Sequence, residues 1–320
     1  MSRSSRAKRA AVAAVVLATA GAAAFWLLTA PRPLAPSAIP AHAPDLANGE
    51  LLFHAGSCLS CHKPAKGTPG ANPELPSGGA PFRTPVGTFY PQNLTPDDAT
   101  GLGRWRPVDF VNAMTRGLSP SGRHYFPAFP FPSYRNVRTA DLLDLFAYLR
   151  SLPKVVSPER PPDVPMARLA RRGVGLWDLL ALRGPLFSPD PARDASWNRG
   201  AYLVAGIGHC GECHTPRNLL MVPERSRWLA GGPHPSGEGR VPSLRGLVAR
   251  KRYEDAADLT LALQNGETFG YDKLSSGGMG EIQENISLLP EADVRAIADY
   301  LVSLPQGPAD GAGAGPRPSR

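Results

Sequence analysis

The stretch "CLSCH" (Cys58–His62) decides how the rest of this sequence is interpreted, because a histidine directly follows two cysteines three positions apart. A C-x-x-C pair alone occurs in redox disulfides, zinc sites and the covalent anchors of c-type haems, and only the haem anchor requires the histidine. "CGECH" (Cys210–His214) repeats the pattern, and the two motifs contain all four cysteines of the chain. In such a motif the thiols form thioethers with the haem and the imidazole binds iron. The sequence therefore predicts two covalently bound haem c groups.

A four-cysteine zinc site and a thioredoxin-like redox pair are the alternatives to the haem interpretation. A zinc site leaves the position after the second cysteine free, and its two halves usually lie closer in sequence. A redox pair is expected where a strand meets a helix in a βαβ pattern, which this sequence does not show. The predicted haem-anchoring residues are therefore Cys58, Cys61, His62, Cys210, Cys213 and His214, and the two histidines are the predicted iron ligands.

The chain contains an internal repeat, because the second haem motif lies 152 residues after the first. We call the two copies of the repeat the first and second units. The same offset separates "YLRSLP" (148–153) from "YLVSLP" (300–305), and each closes an amphipathic segment with an early aspartate and a final proline. A glycine-containing helix is predicted before each motif, and its glycine would allow close contact with the closing helix. The predicted fold is all-α, with two tandem cytochrome c domains behind an N-terminal membrane anchor. The predicted bounds are 1–44 for the anchor or signal segment with a Pro-rich extended tether, 45–153 for domain 1, 154–195 for an ordered linker, 196–306 for domain 2 and 307–320 for a disordered tail.

The N-terminus has the features of an export segment. Four basic residues precede an uncharged run of 21 residues, Ala10–Ala30. This run is close to the ~20 residues that span a bilayer and longer than the ~7–15 of a cleavable signal. An uncleaved anchor is the favoured prediction, and cleavage after Ala20 is the alternative. Either way the positive end stays in the cytoplasm, which places the haem domains on the periplasmic side of the cytoplasmic membrane.

The formal net charge is +8, which raises the question of a nucleic-acid partner. No basic run is interleaved with aromatic residues in the manner of nucleic-acid-binding chains. We interpret the charge as an orientation signal and solvated surface, with a docking role open for "ARLARRG" (167–173). No nucleic-acid partner is predicted.

The sixth iron ligand differs between the two units. In the second unit, "SSGGMGE" (275–281) places Met279 on a predicted loop 65 residues after His214, and methionine is a common haem ligand. A packing role for this methionine is the alternative. In the first unit Phe129 stands 67 residues after His62, and phenylalanine cannot bind iron. An open or weakly ligated haem, His124 and Met114 are the alternatives there.

Four longer segments carry a resemblance to a known family. They are "TPVGTFYPQNLTPDDATGLGRWRPVDFVNAM" (84–114), "GLSPSGRHYFPAFPFPSY" (117–134), "RGAYLVAGIGHCGECHTPRN" (199–218) and "GGMGEIQENISLLPEADVRAIADYL" (277–301). The chain resembles the multihaem cytochrome c subunits of membrane-bound bacterial alcohol, gluconate and aldehyde dehydrogenases, and its dihaem members most closely. The resemblance implies the haem-anchoring residues above and Met279 as distal ligand. Two departures are Phe129, where many relatives have methionine, and the absence from the second unit of the "N-x-T-P-D" stretch at 93–97.

The resemblance also implies a function. Such subunits accept electrons from a catalytic dehydrogenase subunit on the periplasmic side and deliver them to the respiratory chain, whose acceptor is a quinone, an oxidase or a soluble cytochrome. The expected protein is therefore an electron carrier without a substrate of its own. The alternative is a haem enzyme, similar to a thiosulfate dehydrogenase or a peroxidase, that uses the first haem as reactive centre. A gas or redox sensor is a third alternative, and the sequence shows no signalling module that would support it.

Overall fold

The computed structural model describes residues 3–182, 184–237, 239–265 and 279–307. Helices dominate these residues, as predicted. They are α1 Arg3–Leu28, α2 Leu46–Ala55, α3 Cys58–His62, α4 Pro107–Arg116, α5 Phe131–Tyr134, α6 Thr139–Ser151, α7 Ala167–Ala181, α8 Ala195–Ala205, α9 Gly211–His214, α10 Ala256–Asn265, α11 Met279–Ser287 and α12 Glu291–Ser303. The sequence did not predict the two small antiparallel hairpins, in which β1 Phe82–Thr84 pairs with β2 Gly87–Phe89, and β3 Gly232–Pro233 with β4 Arg240–Val241.

Two helix crossings organise the chain, and each depends on a glycine. Helix α2 crosses α6, and a Cβ on Gly49 would lie 2.3 Å from the carbonyl oxygen of Asp144. Helix α8 crosses α12, and a Cβ on Gly200 would lie 1.8 Å from the carbonyl oxygen of Ala296. Both distances are far below van der Waals contact, so only glycine lets these backbones touch. The predicted close contact of opening and closing helices is confirmed in both units.

The closing helices begin and end where their sequences indicate. Asp141 lies in the first turn of α6 and Asp293 in the first turn of α12, where a carboxylate is favoured by the positive end of the helix dipole. Each carboxylate also pairs with an arginine, because Arg138 bonds to Asp141 at 2.9 Å and Arg199 to Asp293 at 2.8 Å. Both helices stop two residues before a proline, which cannot continue a helix.

The apolar side chains of both units form one continuous core. Leu52 and Leu142 from the first unit belong to the same buried cluster as Leu203 and Val294 from the second. Polar contacts also join the units, since the Tyr202 hydroxyl donates to Asp141. The two repeats are therefore packed against each other.

The segment before α2 is bound to the protein body. Leu34 donates its backbone N–H to the Asn112 side chain at 2.7 Å, and Leu34 and Ile39 pack against the core. The imidazole of His42 lies 2.6 Å from the Asp144 carboxylate. The interpretation of residues 31–44 as a tether missed these contacts, which fix the chain between α1 and the first unit.

Helix α1 is the one described helix that is long and apolar enough to cross a membrane. The span is Ala7–Leu28, 22 residues, and none of its most apolar window is buried. The chain becomes buried directly after the helix, because Thr29 is only 1% exposed. Within the described residues, the apolar span of the helix is therefore exposed, and the chain meets the body at the C-terminal end of α1.

Candidate haem sites

Each C-x-x-C-H motif is a short helix that follows a left-handed residue. Ser57 has φ 45° before α3, and His209 has φ 40° before Cys210. A non-glycine residue in this region is uncommon and costs about 1–2 kcal/mol. The same unfavourable conformation at the same place in both units shows that the turn from opening helix to motif requires it. The sequence offered no signal for this turn, since neither residue is a glycine.

The two predicted iron ligands share one hydrogen-bonding arrangement. Nδ1 of His62 lies 2.6 Å from the carbonyl oxygen of Gln92, and Nδ1 of His214 lies 2.8 Å from that of Pro242. A carbonyl can only accept, so the proton must sit on Nδ1 and the lone pair on Nε2. Within the described residues, Nε2 of neither ring makes a hydrogen bond. Both imidazoles are thus held in the tautomer and orientation of a metal ligand.

Burial keeps both imidazoles neutral. Desolvation lowers the pKa of His214 to about 4, and it lowers the pKa of His62 as well. In both rings the hydrogen bond to a backbone carbonyl opposes this shift without cancelling it. A neutral imidazole is the form that binds iron.

Backbone contacts behind the motifs are also repeated. The Gly78 N–H donates to the His62 carbonyl at 2.9 Å, and the Gly231 N–H donates to the His214 carbonyl at 2.7 Å. Both glycines have positive φ, 115° and 71°, a conformation that glycine adopts without steric cost. The loop that carries the histidine's acceptor is thereby joined to the motif in each unit.

The four thiols have the character of buried, protonated cysteines. Desolvation raises the pKa of Cys58 and Cys210 to about 12 and that of Cys213 to about 11. It raises the pKa of Cys61 too, although this side chain is the most open of the four. None of these cysteines forms a disulfide. A redox-active pair needs a lowered thiol pKa, so the sites do not fit a thioredoxin-like function.

The donor set at each motif fits a covalently bound haem. In the described part of the chain, no group of three or more His, Cys, Asp or Glu side chains is arranged to hold a metal ion directly. Each motif offers two thiols, on or at the start of one short helix, and one neutral imidazole whose Nε2 makes no hydrogen bond to the described residues. These are the groups by which a haem c is attached and its iron bound.

The two motifs lie side by side. Nε2 of His209 is 3.3 Å from the carbonyl oxygen of Gly56, and a Cβ on Gly56 would lie 3.2 Å from Ile207. The buried Tyr134 packs edge-on against His209, with ring centres 5.7 Å apart, and burial raises the pKa of its hydroxyl well above the usual value. The residues before one motif therefore contact those before the other.

Met279 is the first residue of α11, so the structure places it at the end of the predicted loop rather than within it. It is half-buried and packs against the main core. Residues 266–278, which include most of that loop, lie outside the described residues. Helix α11 itself contacts the first unit, because Lys63 pairs with Glu281 at 2.6 Å. A ligand role for Met279 stays a prediction.

The residues considered as a sixth ligand of the first haem make other contacts in the structure. Nε2 of the buried His124 lies 3.2 Å from the Thr29 carbonyl oxygen, and its Nδ1 lies 3.4 Å from the Asp178 carboxylate. Both ring nitrogens therefore face the end of α1 and α7, which argues against His124 as an iron ligand. Met114 lies on α4 within the hydrophobic core, where packing explains it. Phe129 packs in an aromatic cluster, with its ring centre 5.5 Å from that of Tyr134.

The fold and these sites together define a c-type cytochrome. A family model described as "Cytochrome c" matches residues 46–153. A "Diheme cytochrome c-type" protein of Cereibacter sphaeroides is 40% identical over 286 residues, which cover 89% of this chain and 94% of that protein. The chain belongs to this family of dihaem cytochrome c proteins.

Subunits of dehydrogenases are also similar to the chain. A nicotinate dehydrogenase subunit of Pseudomonas putida is 39% identical over 260 residues, 81% of this chain and 21% of that protein. The fructose dehydrogenase cytochrome subunit of Gluconobacter japonicus is 33% identical over 279 residues, 86% of this chain and 55% of that protein. The chain thus spans only part of the length of these two dehydrogenase subunits.

Proposed function

We propose that the protein is a membrane-tethered dihaem c-type cytochrome that passes electrons from a partner dehydrogenase to the respiratory chain. The observation that carries this proposal is the duplicated proximal site, with a buried neutral imidazole held by a backbone carbonyl in each unit. The contact between the two motifs supports transfer within the molecule, because two haems anchored there would lie near each other. The relatives, several of which are cytochrome subunits of dehydrogenases, support a carrier rather than a catalyst.

The cysteines and the histidine of each motif would hold the haem in different ways. Cys58 and Cys61 would attach one haem, with His62 on its iron; Cys210, Cys213 and His214 would do the same for the second. When bound, the haem supplies one-electron redox chemistry. The protein orients each imidazole through the Gln92 or Pro242 carbonyl and surrounds the motif with apolar side chains. These contacts set the basicity of the ligand and the access of water, which tune the reduction potential.

The two haems are proposed to be unequal. Met279 supports six-coordination of the second haem, because it follows His214 at the expected distance in sequence and begins a helix at the edge of the core. The first haem has Phe129 at the matching position, and the ring nitrogens of His124 face Thr29 and Asp178. An open or weakly ligated first haem fits these side chains.

The membrane tether rests on α1. Its 22-residue apolar span projects from the body, and basic residues precede it, so the body would face the periplasm. The electron donor would be a dehydrogenase subunit on that side, and the acceptor a quinone, an oxidase or a soluble cytochrome. A cleaved signal sequence is the alternative for the same helix.

Phe129 also favours a second candidate function, because an open haem can bind small molecules. In that case the protein would be a haem enzyme acting on thiosulfate or peroxide. The thiosulfate version has less support, since the haem motifs contain every cysteine and leave none as an axial ligand.

Ligand binding and turnover distinguish the two functions. Carbon monoxide added to the reduced full-length protein should bind at the haem carried by His62 only, and His124→Ala should leave this stoichiometry unchanged. The isolated protein should show no steady-state turnover with thiosulfate or peroxide, and its donor dehydrogenase should reduce it rapidly. Appreciable turnover of either small substrate would replace the carrier with the enzyme.

A further inference from the structure

Helix α7 is fixed to the end of α1. Gly175 packs so closely that a Cβ there would lie 2.6 Å from the carbonyl oxygen of Thr29. Arg172, one turn earlier, donates to the carbonyl of Trp26, and its guanidinium carbon lies 4.4 Å from the centre of the Trp26 ring. This contact lies at the last turn of α1, and the preceding apolar span is exposed in the described part of the chain. The position of α7 is thus tied to the point where α1 reaches the body.

This contact sets the height of α7 relative to a bilayer, an inference that rests on the proposed membrane tether. If α1 crosses the membrane, Trp26 lies at the outer interface, where aromatic side chains are enriched. Because Arg172 bonds to Trp26, α7 must lie at the same level. The segment after Thr29 packs on the body, because the Leu34 N–H donates to the Asn112 side chain. The position of the body relative to the end of α1 is therefore fixed.

Large apolar side chains are exposed at this level. Leu176 is 42% exposed and Leu179 46% exposed, and both lie on the face of α7 that carries Arg172, because positions three, four and seven apart share one face of a helix. The opposite face is used by the body, where Val174 is buried and Asp178 approaches His124. The exposed leucines are therefore not needed for packing within the chain.

A neighbouring loop extends the apolar surface. The Trp177 indole N–H donates to the Leu220 carbonyl at 2.8 Å, which joins the loop to α7. The side chains of Leu219, Leu220 and Met221 are all exposed, and Leu219 is completely so. We call the combined surface the membrane face; it consists of Arg172, Leu176, Leu179, Leu219, Leu220 and Met221.

The charge on the membrane face matches a phospholipid surface. Arg171 is turned towards the body, where it donates to the His124 carbonyl at 2.7 Å, whereas the neighbouring Arg172 reaches the end of α1. Arg172 lies on the face of α7 that carries Leu176 and Leu179, so its positive charge adjoins the exposed leucines. A helix with basic residues beside one apolar face typically lies in the plane of a membrane interface, and anionic headgroups attract such cations.

We propose that the membrane face is a second membrane contact, which lies in the outer leaflet of the anionic bilayer that α1 enters. The lipid bilayer is the expected partner of this surface, because the membrane face begins at Arg172, which contacts Trp26 at the end of α1. Such a contact would hold both haem motifs at a fixed distance and orientation from the membrane.

Lipid photolabelling of the full-length protein tests this proposal. The protein would be reconstituted into vesicles of phosphatidylcholine and phosphatidylglycerol that contain a phospholipid with a diazirine on its acyl chain. Mass spectrometry should locate adducts in residues 7–28 and also in the peptides with residues 176–179 and 219–221. Leu261 and Leu288 are matched controls, 57% and 63% exposed and outside the membrane face, and their peptides should stay unlabelled.

A paired variant sharpens the result. Leu219→Ser with Leu220→Ser should lower the adducts at residues 176–179 about threefold or more relative to α1, because two exposed leucine side chains that would insert into the lipid are replaced by polar ones. Leu288→Ser should change nothing. Adducts in α1 with none on the membrane face would overturn this inference and leave the tether standing. A chain without adducts in α1 would overturn the tether itself, and this inference with it.

Discussion

At the scale of single residues, the orientation of the two predicted iron ligands is set by atoms far away in sequence. The acceptor for His62 is the carbonyl of Gln92, 30 residues later, and the acceptor for His214 is that of Pro242, 28 residues later. Each carbonyl fixes the proton on Nδ1 and leaves Nε2 for iron. The same solution in two units indicates that both imidazoles serve the same purpose.

Met279 is the residue whose role can be tested most simply. Met279→Ala should abolish the long-wavelength absorption band that sulfur–iron charge transfer gives in the oxidised protein, and it should lower the potential of the second haem. Absorption spectra and a redox titration measure both effects. Met114→Ala is the control, because this buried methionine lies in the core: it should keep the band and lower the free energy of unfolding by about 2–5 kcal/mol. A band that survives in Met279→Ala would show that another group is the ligand.

At the scale of helices, the glycine crossings hold each unit together. In both, the opening helix reaches the closing helix through a position without a side chain. The haem motif follows the opening helix directly, so a shift of this helix would also shift the motif. The crossing therefore connects the stability of each unit to the geometry of its site.

Gly200→Ala should disrupt the crossing of α8 and α12. The new methyl group would collide with the Ala296 carbonyl, and overpacking of this kind typically costs about 1–3 kcal/mol or more. Thermal unfolding followed by circular dichroism should show a lower melting temperature. Gly173→Ala in α7 is the matched control, since nothing lies within 4 Å of its added Cβ; it should be neutral or stabilise by up to about 1 kcal/mol. Equal melting temperatures for the two variants would contradict the claim that the contact of α8 with α12 requires a glycine at position 200.

The helices and their glycines could be predicted from the sequence because their signals are local and occur twice. Gly49 and Gly200 precede the motifs, and a closing helix ends before a proline in each unit. The placement of His124 could not be predicted in this way. Its position near Phe129 in sequence says nothing about the direction of its ring, which depends on how α1 and α7 meet.

The linker shows a second limit of sequence reasoning. Residues 154–195 were predicted as an ordered linker, and within them the structure has the 15-residue helix α7, which begins at Ala167 and includes the arginine-rich stretch. The contact of this helix with α1 joins residues more than a hundred positions apart. Only the folded chain reveals that the arginines and the apolar N-terminal helix meet.

At the scale of the whole molecule, the two units interlock. Tyr202 from the second unit bonds to Asp141 in the first, and Lys63 beside the first motif pairs with Glu281 on α11. His209 reaches across to Gly56 at the junction of the motifs. Two haems bound at these motifs would therefore lie close together in the folded protein, as the proposed electron carrier needs.

The intact mass of the purified protein tests the central claim most directly. We expect the mass of the polypeptide plus two haems, retained after extraction with acidified acetone, because thioether bonds survive that treatment. Cys58→Ala with Cys61→Ala should remove one covalent haem and leave the other, and Cys210→Ala with Cys213→Ala should do the same for the second. A native protein that carries one covalent haem or none would contradict the account.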